Sequence, residues 1–235
     1  VETIVKKVLE IVDAGLSKGM GEPIPGKMCV EAAVCAAYGL PHSDSPPCVG
    51  KAVRELKIML NDRFEGGPSE RAELLRRLAI AQLGSVEIDQ VEFAIRVTLL
   101  VYKVSAYKNW AGNWLSGQDK SRAAAVSAAY AAHADNAADA EASAANAAAY
   151  AASAAASAAA SAAAYAAAQA ANAAVHAGYA AAQAANAAAQ TAYAAVRAAY
   201  DTASAAHTLS KFAEDVVQLL AGMKSPGAAY LYLTA

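Results

Sequence analysis

The stretch "AYAAAQAANAAVHAGYAAAQAANAAAQTAY", residues 164–193, carries the octapeptide YAAAQAAN twice, fourteen residues apart, on a background of alanine. A series of non-alanine residues passes through it from Asp135 to His207, with Tyr150, Tyr165, Gln169, Asn172, His176, Tyr179, Gln183, Asn186 and Tyr193 among its members. Each step in that series is three or four residues. Twenty steps cover the 72 residues from 135 to 207, a mean of 3.6, which is the α-helical repeat. Alanine has the highest intrinsic helix propensity, and no proline interrupts residues 122–207. The segment is therefore expected to be helical, with one stripe of tyrosine and polar side chains staying in phase along it. Unbroken, it would form a rod of about 108 Å at roughly 1.5 Å per residue. The runs "HADN" at 133–136 and "HAG" at 176–178 are the places where it would fold back. A long helix and a close-packed alanine-rich hairpin or bundle both satisfy the pattern.

Outward from this segment the composition changes abruptly. Residues 122–207 contain no Leu, Ile, Met, Phe, Trp, Pro or Lys, whereas residues 1–121 hold most of the large aliphatic side chains. The run "TLSKFAEDVVQLLAG" at 208–222 returns to amphipathic composition. Three regions follow: a helical module at 1–121, the alanine-rich segment at 122–207, and a C-terminal amphipathic helix and tail at 208–235. In the first region Ile4, Val5, Val8, Leu9, Val12 and Leu16 keep the helical period up to Gly19. "KMCVEAAVCAAYG" reads as a second helix ended by Gly39. A third carries Cys48, Val49, Ala52, Val53, Leu56, Met59 and Leu60 on one face, and "GGP" at 66–68 breaks it. "SERAELLRRLAIAQLG" is a fourth, and a fifth runs from Ile88 to about Val104 and onward toward Trp114. No run alternates with period two, so the fold class expected is all-α.

Composition excludes several functions. The formal net charge is −2, which offers no basic surface for nucleic acid or an anionic membrane. The alanine-rich segment is long enough to span a bilayer. It lacks Leu and Ile and is interrupted throughout by Asn, Gln, Asp and His, so insertion is not expected. Three cysteines, an odd number, together with an N-terminal run too charged for a secretory core, point to free thiols in a reducing, cytoplasmic compartment.

Reactive side chains concentrate in "PGKMCVEAAVCAAYGLPHSDSPPC", residues 25–48. Cys29, in the first turn of its helix, would have its thiol acidified by the helix dipole, and His42 is the base available to it. Helix geometry separates them: a helix from Cys29 to Gly39 is about 15 Å long at 1.5 Å per residue, and His42 follows its far end. Cys35, His42, Asp44 and Cys48 form a donor set of the kind zinc accepts, without the close Cys-x-x-Cys pair of most zinc modules. Core packing of the cysteines, with Asp44 or Ser45 capping the next helix, is the plainer reading and implies no cofactor. Trp110 and Trp114, four residues apart, read as a packing pair. No phosphate loop, dinucleotide fingerprint or catalytic triad signature is present.

The alanine-rich segment resembles those of alanine-rich helical immunity proteins, which neutralise a bacterial toxin by binding it. The likeness covers about a third of the chain and rests on composition. The "GKMCVEAAVC…LPH" region is similar to uncharacterised bacterial and phage proteins. The resemblance implies a non-catalytic protein that binds a protein partner, as an inhibitor or as a scaffold, with Tyr150, Tyr165, Gln169, Asn172, Tyr179, Gln183, Asn186 and Tyr193 as its contact surface. Alanine faces would also allow self-association. The segment resembles alanine-rich antifreeze helices too, which implies ice binding. There Thr191 and Thr202, eleven apart, supply only one pair of the threonine series those proteins repeat. A thiol- or metal-dependent enzyme using the Cys29–Cys48 region is the remaining reading.

Overall fold

The computed structural model describes residues 1–101, 105–121, 123–125, 127–128 and 205–235. The expected alanine-rich rod or hairpin, its Tyr, Gln and Asn contact surface, and the Thr191/Thr202 pair lie outside the described residues. The protein is all-α: α1 (Glu2–Asp13), α2 (Val30–Ala37), α3 (Lys51–Arg63), α4 (Pro68–Ala81), α5 (Gln90–Val101), α6 (Ser105–Ser116) and α7 (Ala205–Gly222). A 3-10 turn at Ser85–Glu87 joins α4 to α5, and the chain ends in a 3-10 tail at Pro226–Thr234. Among the described residues there is no strand, only an isolated bridge between Gly21 and Met28.

The central element is α4, which packs against α1, α2, α3, α7 and the tail. Its sequence explains this. Leu74, Leu75, Leu78, Ala79, Ile80 and Ala81 are all buried, so apolar side chains leave this helix on more than one side. Against it α1 lays Val5, Val8, Leu9 and Val12, the apolar stripe of an amphipathic helix, and α7 adds Leu209, Phe212, Ala213, Val216, Val217 and Leu220. Each of the larger apolar side chains among these, fully buried, contributes about 1.5–3 kcal/mol. Trp110 and Trp114 of α6 meet in a tilted contact, 5.9 Å between ring centroids, and join the same core, as does Ala125. The chain on either side of residues 129–204 is thus rooted in one hydrophobic core.

Several helix ends differ from the sequence reading. The first helix stops at Asp13 rather than near Gly19, because Gly15 takes a left-handed φ of 108° and turns the chain. Leu16 then donates its N–H to the Pro68 carbonyl at 3.0 Å while its side chain stays buried. Helix α3 starts at Lys51, after Gly50, and not at Cys48. Neither Asp44 nor Ser45 caps it. The Gln90 side-chain oxygen accepts the Ala52 N–H at 3.1 Å, and Ser45 instead accepts a bond from the Arg54 guanidinium. Asp89 caps α5, accepting the N–H groups of Val91 and Glu92 at 2.8 and 3.0 Å.

The tail closes the end of α4. The Ser225 hydroxyl donates to the Ala81 carbonyl at 2.7 Å and the Gly227 N–H to the Leu83 carbonyl at 2.7 Å. These groups satisfy carbonyls that a helix C-terminus leaves without partners. The approach is so close that a Cβ on Gly227 would lie 2.0 Å from the Ile80 oxygen. Among the described residues no helix is long and apolar enough to cross a membrane.

Arg71 ties three connections together. Its guanidinium, almost fully buried, donates to the carbonyls of Asn61 (2.9 Å), Leu16 (3.2 Å) and Phe64 (2.8 Å), and it lies 5.8 Å from the Phe64 ring centroid. Only a planar fork of five N–H donors can serve three diverging carbonyls at once. Arg71→Ala is expected to lower stability by about 3 kcal/mol or more in urea unfolding, from the loss of charge-assisted bonds and the stranding of buried carbonyls. Arg71→Lys should recover little of it.

Candidate functional site

Two loops and two helices build the most polar part of the core. Glu31 lies in the first turn of α2 and Lys57 midway along α3, and the side chains of both are wholly buried. Lys57 Nζ stands 3.3 Å from Glu31 Oε1, and Gln82, just after α4, donates from Nε2 to Glu31 Oε2 at 3.3 Å. One acid, one base and one amide thus bind α2, α3 and the end of α4. Neither Glu31 Oε1 nor Lys57 Nζ completes a well-aligned hydrogen bond, so the pair is a charge contact more than a bonded fork.

Burial governs the acid–base chemistry. It raises the Glu31 carboxyl from its ordinary 4.5 to about 7, against the opposing pull of Lys57. It lowers the Lys57 ammonium, against the opposing pull of Glu31. Both partners are displaced toward neutrality, as expected when removing ions from water costs more than their attraction returns.

Cys29 is not in the first turn of α2 but is its N-cap residue, with φ −73° and ψ 168°. Its Sγ accepts the Ala32 N–H at 3.4 Å. Burial raises the thiol, outweighing that bond, the opposite direction to the acidification expected at a helix N-terminus. His42 does not face it: the imidazole Nε2 donates to the Gly21 carbonyl at 3.0 Å. Burial takes Cys35 up to about 11, with the nearby Glu31 carboxyl adding to the effect. Cys48 is half-buried, also raised by burial, and pairs with the Tyr38 hydroxyl. Cys35, His42, Asp44 and Cys48 do not converge, and among the described residues no three His, Cys, Asp or Glu side chains gather around a metal-sized point.

Beside the buried pair lies a crevice of about 20 Å³, lined in part by Cys29, Glu31, Asp44, Asn61 and Asp62. Its size suits one water-sized guest and no organic cofactor. A wider groove of about 540 Å³ between α5 and α7 is lined by Leu99, Leu100, Leu219 and Met223, with Glu92 and Arg96 paired at 2.7 Å along it.

The sequence reading named Cys29 and Asp44, which the structure brings to one crevice, and His42, Cys35 and Cys48, which it directs elsewhere. It passed over Glu31, Lys57, Asn61 and Gln82. A signal existed: Lys57 falls four after Val53 and three before Leu60, on the buried face of α3, and Glu31 is the one charge in "CVEAAVCAA". A lone charge at a core register position implies a buried partner. No protein-family model matches the chain, and neither curated proteins nor solved structures give a match.

Lys57→Met should cost about 3–5 kcal/mol in urea unfolding, because it strands a buried carboxylate, while the Glu31→Leu/Lys57→Met double variant should regain most of that loss. The pH dependence has a definite sign. The folded chain keeps the Glu31 proton to a higher pH than the unfolded chain, so this group favours folding most below 4.5 and loses that effect as pH rises toward about 7. Glu31→Gln should remove that component. Chemical denaturation of both proteins from pH 4.5 to 7.5 would show the difference as a flatter profile in the variant.

Proposed function

We propose that the protein is a non-catalytic helical binder of another macromolecule, in which the described helices form a rigid base and residues 122–207 supply the contact side chains. The observation that carries this reading is the state of Cys29. The best-placed nucleophile in the sequence is buried, caps α2, and has its thiol raised, while the imidazole proposed as its base is bonded to a carbonyl. Two further buried charged groups of the base are likewise engaged internally. Arg71 holds three carbonyls and Glu31 meets Lys57 and Gln82. The partner surface is the tyrosine and amide stripe: tyrosine brings large contact area at small entropic cost, a property of binding hot spots. A protein partner, bound as an inhibitor or a scaffold binds it, fits that composition. Three free cysteines accord with a reducing, cytoplasmic setting.

A photo-crosslinking residue placed at Tyr165, Tyr179 or Tyr193 in producing cells should give a discrete adduct, lost when Gln169 and Asn172 are changed to alanine. The same residue at Glu10, an exposed position of α1, should give none. Adducts absent from all three tyrosine positions, or identical at Glu10, would reject the reading. Independently, the three thiols of the native protein should react with a disulfide reagent more slowly than free cysteine at pH 8, since all are raised. A thiol that reacts faster than free cysteine would point back to thiol chemistry.

A further inference from the structure

The loop between α2 and α3 presents one serine to solvent beside a fixed guanidinium. Every residue from Tyr38 to Ser45 is exposed or half-exposed, and the chain has no helix or strand from Leu40 to Pro46. Both ends of this run are anchored. The Leu40 N–H donates to the Cys35 carbonyl at 2.9 Å, and Pro46 is buried with its carbonyl accepting the Val49 N–H at 3.1 Å. Ser45 is exposed and stands directly before that buried proline, which disfavours helical backbone at Ser45 and keeps it extended. An enzyme that modifies a serine needs backbone of this kind, accessible and outside regular structure. Ser69, Ser105, Ser116 and Ser210 are also exposed, but each lies in a helix. Ser121 uses its hydroxyl to cap the Ala124 N–H, and Ser43 uses its own to accept the Ser45 N–H at 3.1 Å. The Ser45 hydroxyl instead accepts from Arg54 Nη1 at 2.5 Å. The Arg54 side chain is only 22% exposed, and its Nη2 donates to Glu55 Oε1 at 3.1 Å, so the guanidinium is held in place. A neutral hydroxyl uses little of such a fork, whereas a phosphate brings three acceptor oxygens and the matching charge.

We propose that Ser45 is a phosphorylation site and that Arg54 holds the phosphate. The donor is a nucleoside triphosphate brought by a protein kinase. The bond from Ser45 Oγ to the terminal phosphorus forms as the bond from that phosphorus to the bridging oxygen breaks. The hydroxyl proton passes to a base on the kinase, and the nucleoside diphosphate leaves. The product sets about −1.5 to −2 charges beside the guanidinium that already meets this oxygen. It ties the loop before α3 to the helix itself by charge-assisted hydrogen bonds. Glu55 competes for the same guanidinium and Asp44 adjoins the phosphate in sequence, so Arg54 is the group on which the grip depends. This site does not rest on the contact role given to residues 122–207.

Two measurements test this. The full chain, isolated from the cells that natively make it, is cut with trypsin, and the peptide Met28–Lys51 is sequenced by mass spectrometry. It is expected in two forms that differ by one phosphate, located on Ser45 and absent from Ser45→Ala. An unmodified peptide alone, or a phosphate on Ser43, would overturn the proposal. For the grip, the full chain is produced with phosphoserine at position 45, with and without Arg54→Gln. Phosphorus NMR should show the phosphate losing its second proton about one pH unit lower when Arg54 is present. Arg54→Lys, which keeps the charge but not the fork, should restore part of that shift. Equal midpoints in all three chains would remove Arg54 from the site.

Discussion

The charge contact between Glu31 and Lys57 constrains everything around it. An acid and a base with no solvent exposure sit 3.3 Å apart at the junction of α2, α3 and the end of α4. Burying either charge without the other would cost more, which favours the register that brings the two together. The pair adds little net stability compared with apolar side chains of the same volume. Its effect is to penalise any packing in which α2 and α3 slide past each other. Arg71 does the same for the connections, because its three carbonyl acceptors come from the loop after α1, the end of α3 and the loop before α4.

This arrangement also explains why the cysteine-rich stretch is quiet. A thiol becomes a nucleophile where water and positive charge stabilise the thiolate. Cys29 has neither in sufficient measure: burial is the largest influence on it, and the nearby Glu31 carboxyl opposes ionisation. Lys57 pulls the other way but is itself lowered and engaged with Glu31. The chemistry suggested by residue types is cancelled by their surroundings. What is left on the base is a framework whose polar groups bind one another, with the chain entering and leaving the alanine-rich segment from a single core. Such a base is compatible with the contact role proposed for the protein.

The helices of the described region were largely legible in the sequence, since apolar residues at intervals of three and four announce a buried face whatever it packs against. Val5, Val8, Leu9 and Val12 required no tertiary knowledge, and neither did Trp110 with Trp114. The ends were less legible. Helix α1 stops early because of Gly15 and the contact of Leu16 with Pro68, and α3 starts late because Gln90, from a distant helix, serves its N-terminus. Of the site, Cys29 and Asp44 could be picked out by residue type. Their roles could not, since a thiol's environment is made by residues far away in the chain.

The amino-acid sequence by itself determined the all-α class, the break in composition at residue 122, and the apolar faces that had to be covered. These follow from local periodicity and intrinsic propensity, which act over one or two helical turns. Tertiary structure alone decided that Glu31 meets Lys57 and Gln82, that His42 turns to Gly21 and away from Cys29, and that the C-terminal tail seals α4. Those outcomes depend on which distant groups share a volume too dry for an unpaired charge, and no local pattern encodes that.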